Sequence, residues 1–265
     1  MNEINRPNQR HYWDQNLDPT NLGAELADAR AVIAAEKDFY LVPDRQRFLK
    51  ALRPYAHPMV LELGAGLSYQ VIALAQRGCT VLACDLSLAR LRLLRQVVSE
   101  LLPPTDARRV HYVACSAESL PVLAASVDVV ATRAVLIHTD LECAIAECQR
   151  VLKPEGKAIF TEPQRRHPLV NLYRRTLAPK EWKTIARYFD TDEISVVHKH
   201  FARVDTYYDY LAAFVAFVWQ YGLRSALLFW LLMQPLHTFD QWLMRWRPAL
   251  SRYAWFVTLI CGKKP

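Results

Sequence analysis

Two acidic residues and two glycines at fixed spacing give this sequence its clearest chemical signal. The segment VLELGAGLSYQVI, from Val60 to Ile72, carries Glu62, Gly64 and Gly66. An acid that closes an apolar run and passes at once into G-x-G sets backbone N–H groups against a ligand, because glycine leaves room for the approach and adopts the angles the turn needs. Asp85 closes the next apolar run, 23 residues after Glu62. A carboxylate there is placed to accept from both hydroxyls of a ribose, since an ionised acid takes two hydrogen bonds. Nicotinamide and flavin sites put a third glycine at the end of G-x-G-x-x-G, where the helix packs on the strand and meets a pyrophosphate. Here that position holds Tyr69. The pattern favours a ribose-bearing ligand without a pyrophosphate over a dinucleotide.

Positioning these groups requires strands that end side by side. Apolar runs predict strands at 59–63, 80–85, 109–114, 127–132 and 157–162, and helical patterns fall between them at 69–77, 87–101 and 139–152. That alternation generates parallel strands with crossover helices. The last of these helices closes at Lys153-Pro154-Glu155-Gly156, a proline and glycine stop. Further on, a helix is expected near 180–188, a strand near 193–200 and a last strand at 253–261. The expected fold is α/β: a Rossmann-like, seven-stranded, mostly parallel sheet with helices on both faces. Residues 1–55 form an N-terminal helical cover, with an irregular start and helices at 24–39 and 44–53. Residues 56–204 form the core, 205–250 an apolar helical insertion, and 251–265 the last strand and tail.

The insertion changes the character of the chain. It reads YLAAFVAFVWQYGL, then Arg224, then SALLFWLLMQPL, and five of the seven Trp (Trp219, Trp230, Trp242, Trp246, Trp255) lie in or just after it. Each apolar run is shorter than the roughly 20 residues that cross a bilayer as a helix. Two apolar helices are expected, serving as a lid, a substrate wall or a shallow membrane contact, with a buried helical subdomain as the alternative. Net charge is +7, but the Lys and Arg are scattered and form no basic tail, which argues against a nucleic-acid partner. An anionic membrane face suits that charge better. Composition, 52% hydrophobic and 22% charged, argues against disorder. The six Cys form no C-x-x-C pair and sit mostly in apolar runs, as buried free thiols of a reducing cytoplasm do. The polar N-terminus lacks the apolar stretch of a secretion signal.

Residues 59–163 resemble the class I S-adenosylmethionine-dependent methyltransferases, in the branch of ubiquinone/menaquinone-type and other small-molecule or lipid-directed enzymes. The resemblance is carried by LELGAGLS, VLACDLS, SAESLP, VDVVATRAVLIH and LKPEGKAIFTEP, and more weakly by YWDQNLDPTNLG and EPQRRHPLVNLYRR on either side. It implies S-adenosylmethionine as cofactor, with Glu62 and the backbone of Gly64, Ala65 and Gly66 facing its methionine moiety. Asp85 would bind the ribose and Leu86 would lie against the adenine. Ala117, flanked by Ser116 and Glu118, would offer its backbone to the adenine ring, and Arg133 would stand beside the cofactor. Two positions depart from the family pattern: Ser68 replaces a frequent third glycine, and Ser116 stands where an acid often meets the adenine amine.

Methyl transfer from a sulfonium is an in-line displacement whose leaving group is already activated, so alignment dominates and no metal is expected. A base is needed only when the acceptor must lose a proton. Two residues are candidates. His138 follows the fourth strand, on the edge where ligands bind in open α/β sheets, and would otherwise cap or orient the helix that starts at Thr139-Asp140. Glu162 ends the fifth strand and would otherwise pair with Arg165 or Arg166. His11, Tyr12 and Trp13 are candidates to close over the donor as part of an N-terminal lid, since aromatic faces attract cations, with a surface staple as the alternative. His198 and His200 alternate on the strand expected at 193–200 without a third ligand nearby. The expected activity is methylation of a hydrophobic small molecule, such as a quinone, isoprenoid, polyketide or lipid-like acceptor, at oxygen, carbon or nitrogen. The alternative is a peripheral membrane or partner-binding protein with an inactive or regulatory core of this type. Strand four continues as ATRAVLIH, unlike the Asn/Asp-Pro-Pro-Tyr sequence of DNA amino-methylating enzymes.

Overall fold

A computed structural model describes residues 6–15, 22–39, 42–223 and 226–263. The chain opens with three helices, α1 (Arg6–Gln15), α2 (Leu22–Phe39) and α3 (Val42–Leu52). Strands and helices then alternate: β1 (Met59–Leu63), α4 (Tyr69–Gln76), β2 (Thr80–Asp85), α5 (Leu88–Leu101), the short α6 (Pro104–Ala107) and β3 (Val110–Ala114). After β4 (Val127–Arg133) come a 3-10 turn at Leu136–His138, α7 (Leu141–Val151) and β5 (Leu152–Pro163). The C-terminal part contains α8 (Pro168–Thr176), α9 (Trp182–Ile185), α10 (Thr191–His200), β6 (Arg203–Asp209), α11 (Phe214–Leu223), α12 (Ala226–Trp246) and β7 (Phe256–Gly262).

The seven strands form one sheet in the order β3-β2-β1-β4-β5-β7-β6. Strands β1 to β5 are parallel, and β7 enters antiparallel between β5 and β6. The order reverses between β1 and β4, so the loops after those two strands diverge and leave a crevice at the carboxyl edge. Helix starts are fixed locally. Ser68, Ser87 and Asp140 each cap a helix by accepting a backbone N–H of its first turn. One apolar layer packs α2 to α5 on one face of the sheet, around Val71, Leu74, Val81, Leu94 and Val97. A second packs α7 and α10 on the other, around Ile145, Cys148, Phe160 and Val197. A third, smaller cluster joins α11 and α12 to the β7 end through Phe217, Phe229, Met233 and Phe256. All six cysteines are free, and among the described residues no helix is long and apolar enough to cross a membrane.

Three expectations are corrected. Residues 191–200 are helical, and the strand lies at 203–209 instead. The deciding signal is a capping box: Asp190 caps the helix while the Glu193 carboxylate accepts from the Asp190 N–H at 2.9 Å, and this outweighs the strand-like alternation of EISVVHKH. His198 and His200 therefore share a last helical turn, where His200 meets Glu142. The helix expected at 180–188 shrinks to Trp182–Ile185. The expected irregular start contains α1, and α8 was not anticipated. Arg224, expected between the two apolar runs, lies outside the described residues.

Candidate active site

The loop after β1 carries the tightest geometry. Gly64 sits at φ +65° and Gly66 at φ +39°, in the left-handed region. A Cβ on Gly64 would fall 2.3 Å from Val135 Cγ2, in the loop after β4. The two loops that flank the switch point thus touch where a side chain would fill the space, and glycine is required on both steric and conformational grounds. Ala134, in the facing loop, also has φ +54°. A non-glycine residue held there stores strain of the kind that collects at functional sites.

Asp85 is fixed at the end of β2 by two amides. Its Oδ1 accepts from Ser87 N–H and its Oδ2 from Gly66 N–H, each at 2.8 Å. Each oxygen keeps a further lone pair, so the carboxylate remains able to accept from a diol. Burial pushes its pKa up, while the two amides and the nearby Arg90 guanidinium oppose that shift. Glu62 is almost fully buried and accepts from Gln70 Nε2 at 2.7 Å. Beyond β3, Ser116 Oγ donates to Glu118 Oε2 at 2.9 Å, and Glu118 Oε1 accepts from Asp140 N–H at 2.7 Å. The loop 116–118 is thereby tied to the cap of α7.

These groups share one cavity of about 1090 Å³. It is lined by all ten residues expected to hold the cofactor: Glu62, Gly64, Ala65, Gly66, Asp85, Leu86, Ser116, Ala117, Glu118 and Arg133. His138 also lines it. The His138 Nδ1 lies 2.7 Å from the Ile185 carbonyl oxygen. A carbonyl only accepts, so in the neutral ring Nδ1 carries the hydrogen and Nε2 the basic lone pair. Burial lowers the pKa of the imidazole, which keeps that lone pair available near neutral pH.

Glu162 does not line the cavity. It is fully buried, and its Oε1 accepts from Thr132 Oγ1 at 2.8 Å and from the Val135 and Leu136 N–H groups at 3.2 Å. Burial raises its pKa to about 7. The carboxyl shapes the turn after β4 from behind. The pairing expected with Arg165 or Arg166 is also absent: Arg165 reaches Glu193, and Arg166 reaches Asp190.

The expected N-terminal cover supplies two walls of the site, through residues that the sequence singled out only in part. From α1, Gln9, Arg10, His11, Trp13 and Asp14 line the cavity. Gln9 Nε2 donates to the His138 carbonyl at 2.7 Å, the Trp13 ring meets His138 edge-on at 5.5 Å, and Arg90 lies 4.9 Å over Trp13. Tyr12 faces away, accepting from Trp182 Nε1 at 2.8 Å. From α3 come Asp44, Arg45, Phe48 and Leu49. Asp44 accepts from Tyr210 OH at 2.9 Å and from Arg133 Nε at 3.4 Å, and burial lifts its pKa to about 6. None of the described residues of the apolar insertion lines the cavity.

Comparison with known proteins agrees with this geometry. Residues 61–160 match the family model described as a methyltransferase domain. Residues 61–160 thus carry a methyltransferase domain. The chain is 31% identical over 157 residues to a malonyl-[acyl-carrier protein] O-methyltransferase of Methylovorus sp. (strain MP688), a match that covers 57% of this chain and 52% of that protein. The chain thus spans about half the length of that curated relative. Among solved structures, a geranyl diphosphate C-methyltransferase from Streptomyces coelicolor A3(2) shares the fold with a TM-score of 0.57 at 14% identity, covering 84% of this chain and 81% of that one. Phosphoethanolamine N-methyltransferase 2 of Haemonchus contortus does so with a TM-score of 0.60 at 18% identity, covering 89% of this chain and 57% of that one. The matched domain holds every expected cofactor residue, and the cavity walls from α1 and α3 lie outside it.

Proposed function

We propose that this protein transfers a methyl group from S-adenosylmethionine to a hydrophobic small molecule, of the quinone, isoprenoid, polyketide or lipid-like kind. The observation that carries this is the single cavity in which the Gly64–Gly66 bend, the Asp85 carboxylate and the 116–118 loop converge. When bound, the donor supplies a methyl group already activated by positive charge on sulfur. The protein's part is positioning. Glu62 and the space left by the glycine bend receive the amino-acid end, Asp85 holds the ribose, and Leu86 with Ala117 brackets the adenine.

A cavity of about 1090 Å³ lies at or above the upper end of the ~300–1,000 Å³ typical of small-ligand sites. This supports room for an acceptor beside the donor, against Phe48, Leu49, Tyr69 and Val135. The same neighbourhood includes the Arg133–Asp44 pair, which suits an acceptor with one polar group on an apolar body. His138 is the base for acceptors that must lose a proton, through Nε2. The α1 cover excludes water from the reacting atoms. The malonyl-[acyl-carrier protein] and geranyl diphosphate relatives methylate acyl or prenyl compounds, as their names state, which is consistent with an apolar acceptor. The insertion, none of whose described residues lines the cavity, is read as a peripheral membrane contact of a cytoplasmic protein. Incubation with methyl-labelled donor and lipid or metabolite extracts tests the proposal: label should pass to an organic-soluble product. Donor binding without transfer to any extracted compound would favour a regulatory core instead.

A further inference from the structure

Helix α12 divides sharply into two faces. Phe229, Met233, Asp240 and Met244 are buried against the body of the protein. Along the other side, Leu227, Leu231, Phe239, Trp242 and Trp246 follow one another at helical spacing with Pro235 in line, and each of the five large side chains is 46–69% exposed. From Leu227 to Trp246 this stripe is about 28 Å long at 1.5 Å per residue. Trp242 and Trp246 stack at 6.0 Å, and Phe239 lies 5.9 Å from Trp242. Scattered apolar residues on a surface need no explanation, but a continuous stripe with paired indoles does.

Charge identifies what covers it. From residue 210 to the end of the sequence the only acid is Asp240, against Arg224, Arg245, Arg247, Arg252, Lys263 and Lys264. Asp240 is fully buried, with its carboxylate accepting the Leu211, Ala212 and Ala213 amides. Its own segment, from residue 210 on, therefore offers the stripe no exposed carboxylate, while Arg245, Arg247 and Arg252 stand exposed at its C-terminal end. Arg247 lies 4.7 Å over the Trp246 ring. Helix α8 is tied to the base of the insertion by His167, whose ring lies 4.7 Å from that of Phe214. It exposes Leu169, Leu172 and Leu177 beside Arg175, again without an acid.

We infer that the outer face of α12 docks this protein on an anionic lipid bilayer, lying in the plane of the interface. Leucine and phenylalanine enter the acyl boundary, the indoles sit at headgroup level, and the arginines engage lipid phosphates. A second copy of the chain is the poorer occupant, because pairing this face with itself would bring two acid-free arginine clusters together. The inference rests on reading 205–250 as a peripheral contact and is independent of methyl transfer.

The test is co-sedimentation of the full chain with vesicles of phosphatidylcholine alone or with 30% phosphatidylglycerol, at low and physiological salt. Wild type should pellet with the anionic vesicles, less so as salt rises, and stay in solution with the neutral ones. Trp242→Gln/Trp246→Gln and Arg245→Gln/Arg247→Gln/Arg252→Gln should each weaken anionic binding on the order of tenfold or more. Wild type that ignores anionic vesicles, or variants that bind as wild type does, would overturn the inference. So would a wild-type dimer in sedimentation that the tryptophan variant abolishes. Titration with S-adenosylmethionine on the same preparations separates the two readings: retained donor binding shows that the variants are folded, and absence of donor binding in wild type would defeat the proposed activity while leaving the membrane result standing.

Discussion

Replacing Glu162 by Gln separates a residue that shapes the site from one that acts in it. Glu162 is fully buried, its Oε1 accepts three donors, and its Oε2 has no partner among the described residues. Its pKa is raised from 4.5 to about 7, chiefly by burial. Between those values the folded protein holds a proton that the unfolded chain has released, so the group's contribution to stability falls as pH rises from 4.5 and levels off above 7. At ~1.4 kcal/mol per pKa unit the loss across that window is roughly 3 kcal/mol. Glutamine keeps the Oε1 acceptor and cannot ionise, so the variant lacks this slope, while Asp44 and every other group titrate alike in both proteins. Urea unfolding of wild type and variant from pH 4.5 to 8 should show their stability difference moving by about 3 kcal/mol in favour of glutamine. A pH-independent offset would refute the burial argument. Methyl transfer should stay within a few-fold of wild type; a loss of about 10²-fold or more would return Glu162 to the role of base.

Gly64→Ala adds a methyl group at a left-handed position, 2.3 Å from Val135 Cγ2. Backbone strain of about 1–2 kcal/mol and overpacking of about 1–3 kcal/mol predict a marked fall in melting temperature and loss of donor binding, by calorimetry. Trp13→Ala removes the edge contact with His138 and the Arg90 stacking, so donor affinity should weaken roughly 5- to 50-fold in titration; an unchanged affinity would mean that α1 does not close over the donor. His138→Gln should leave donor affinity within a few-fold yet cut kcat by about 10²–10⁴-fold if Nε2 takes the acceptor's proton. A near-normal kcat would limit His138 to anchoring α1 and α9.

The parallel half of the sheet was legible because its strands are continuous apolar runs closed by Glu62, Asp85 and Arg133, and its helices begin at Ser68, Ser87 and Asp140. These are local signals. Residues 191–200 read as a strand because alternating polar and apolar residues mimic one, while the capping box that decides for helix depends on side chains three positions apart. Helix α1 was missed for a different reason: it is polar throughout, and it is held by long-range partners such as the His138 carbonyl and Arg90 that no local pattern reveals. The cofactor residues sit at strand ends and could be read in order along the chain. A helix over 44–53 was legible as part of the N-terminal cover, but Asp44 and Phe48 as wall residues were not, because they join the site through distant partners such as Arg133 and Tyr210.

Titration of wild type and Asp85→Asn with S-adenosylmethionine tests the central claim most directly. Asparagine retains one oxygen for the loop amides but gives up the charge and the second acceptor. At about 1.5–3 kcal/mol for each hydrogen bond to a charged group, affinity should fall between tens-fold and a thousandfold while the circular dichroism spectrum is unchanged. Equal affinity in the two folded proteins would contradict the assignment of this cavity to an adenosyl donor.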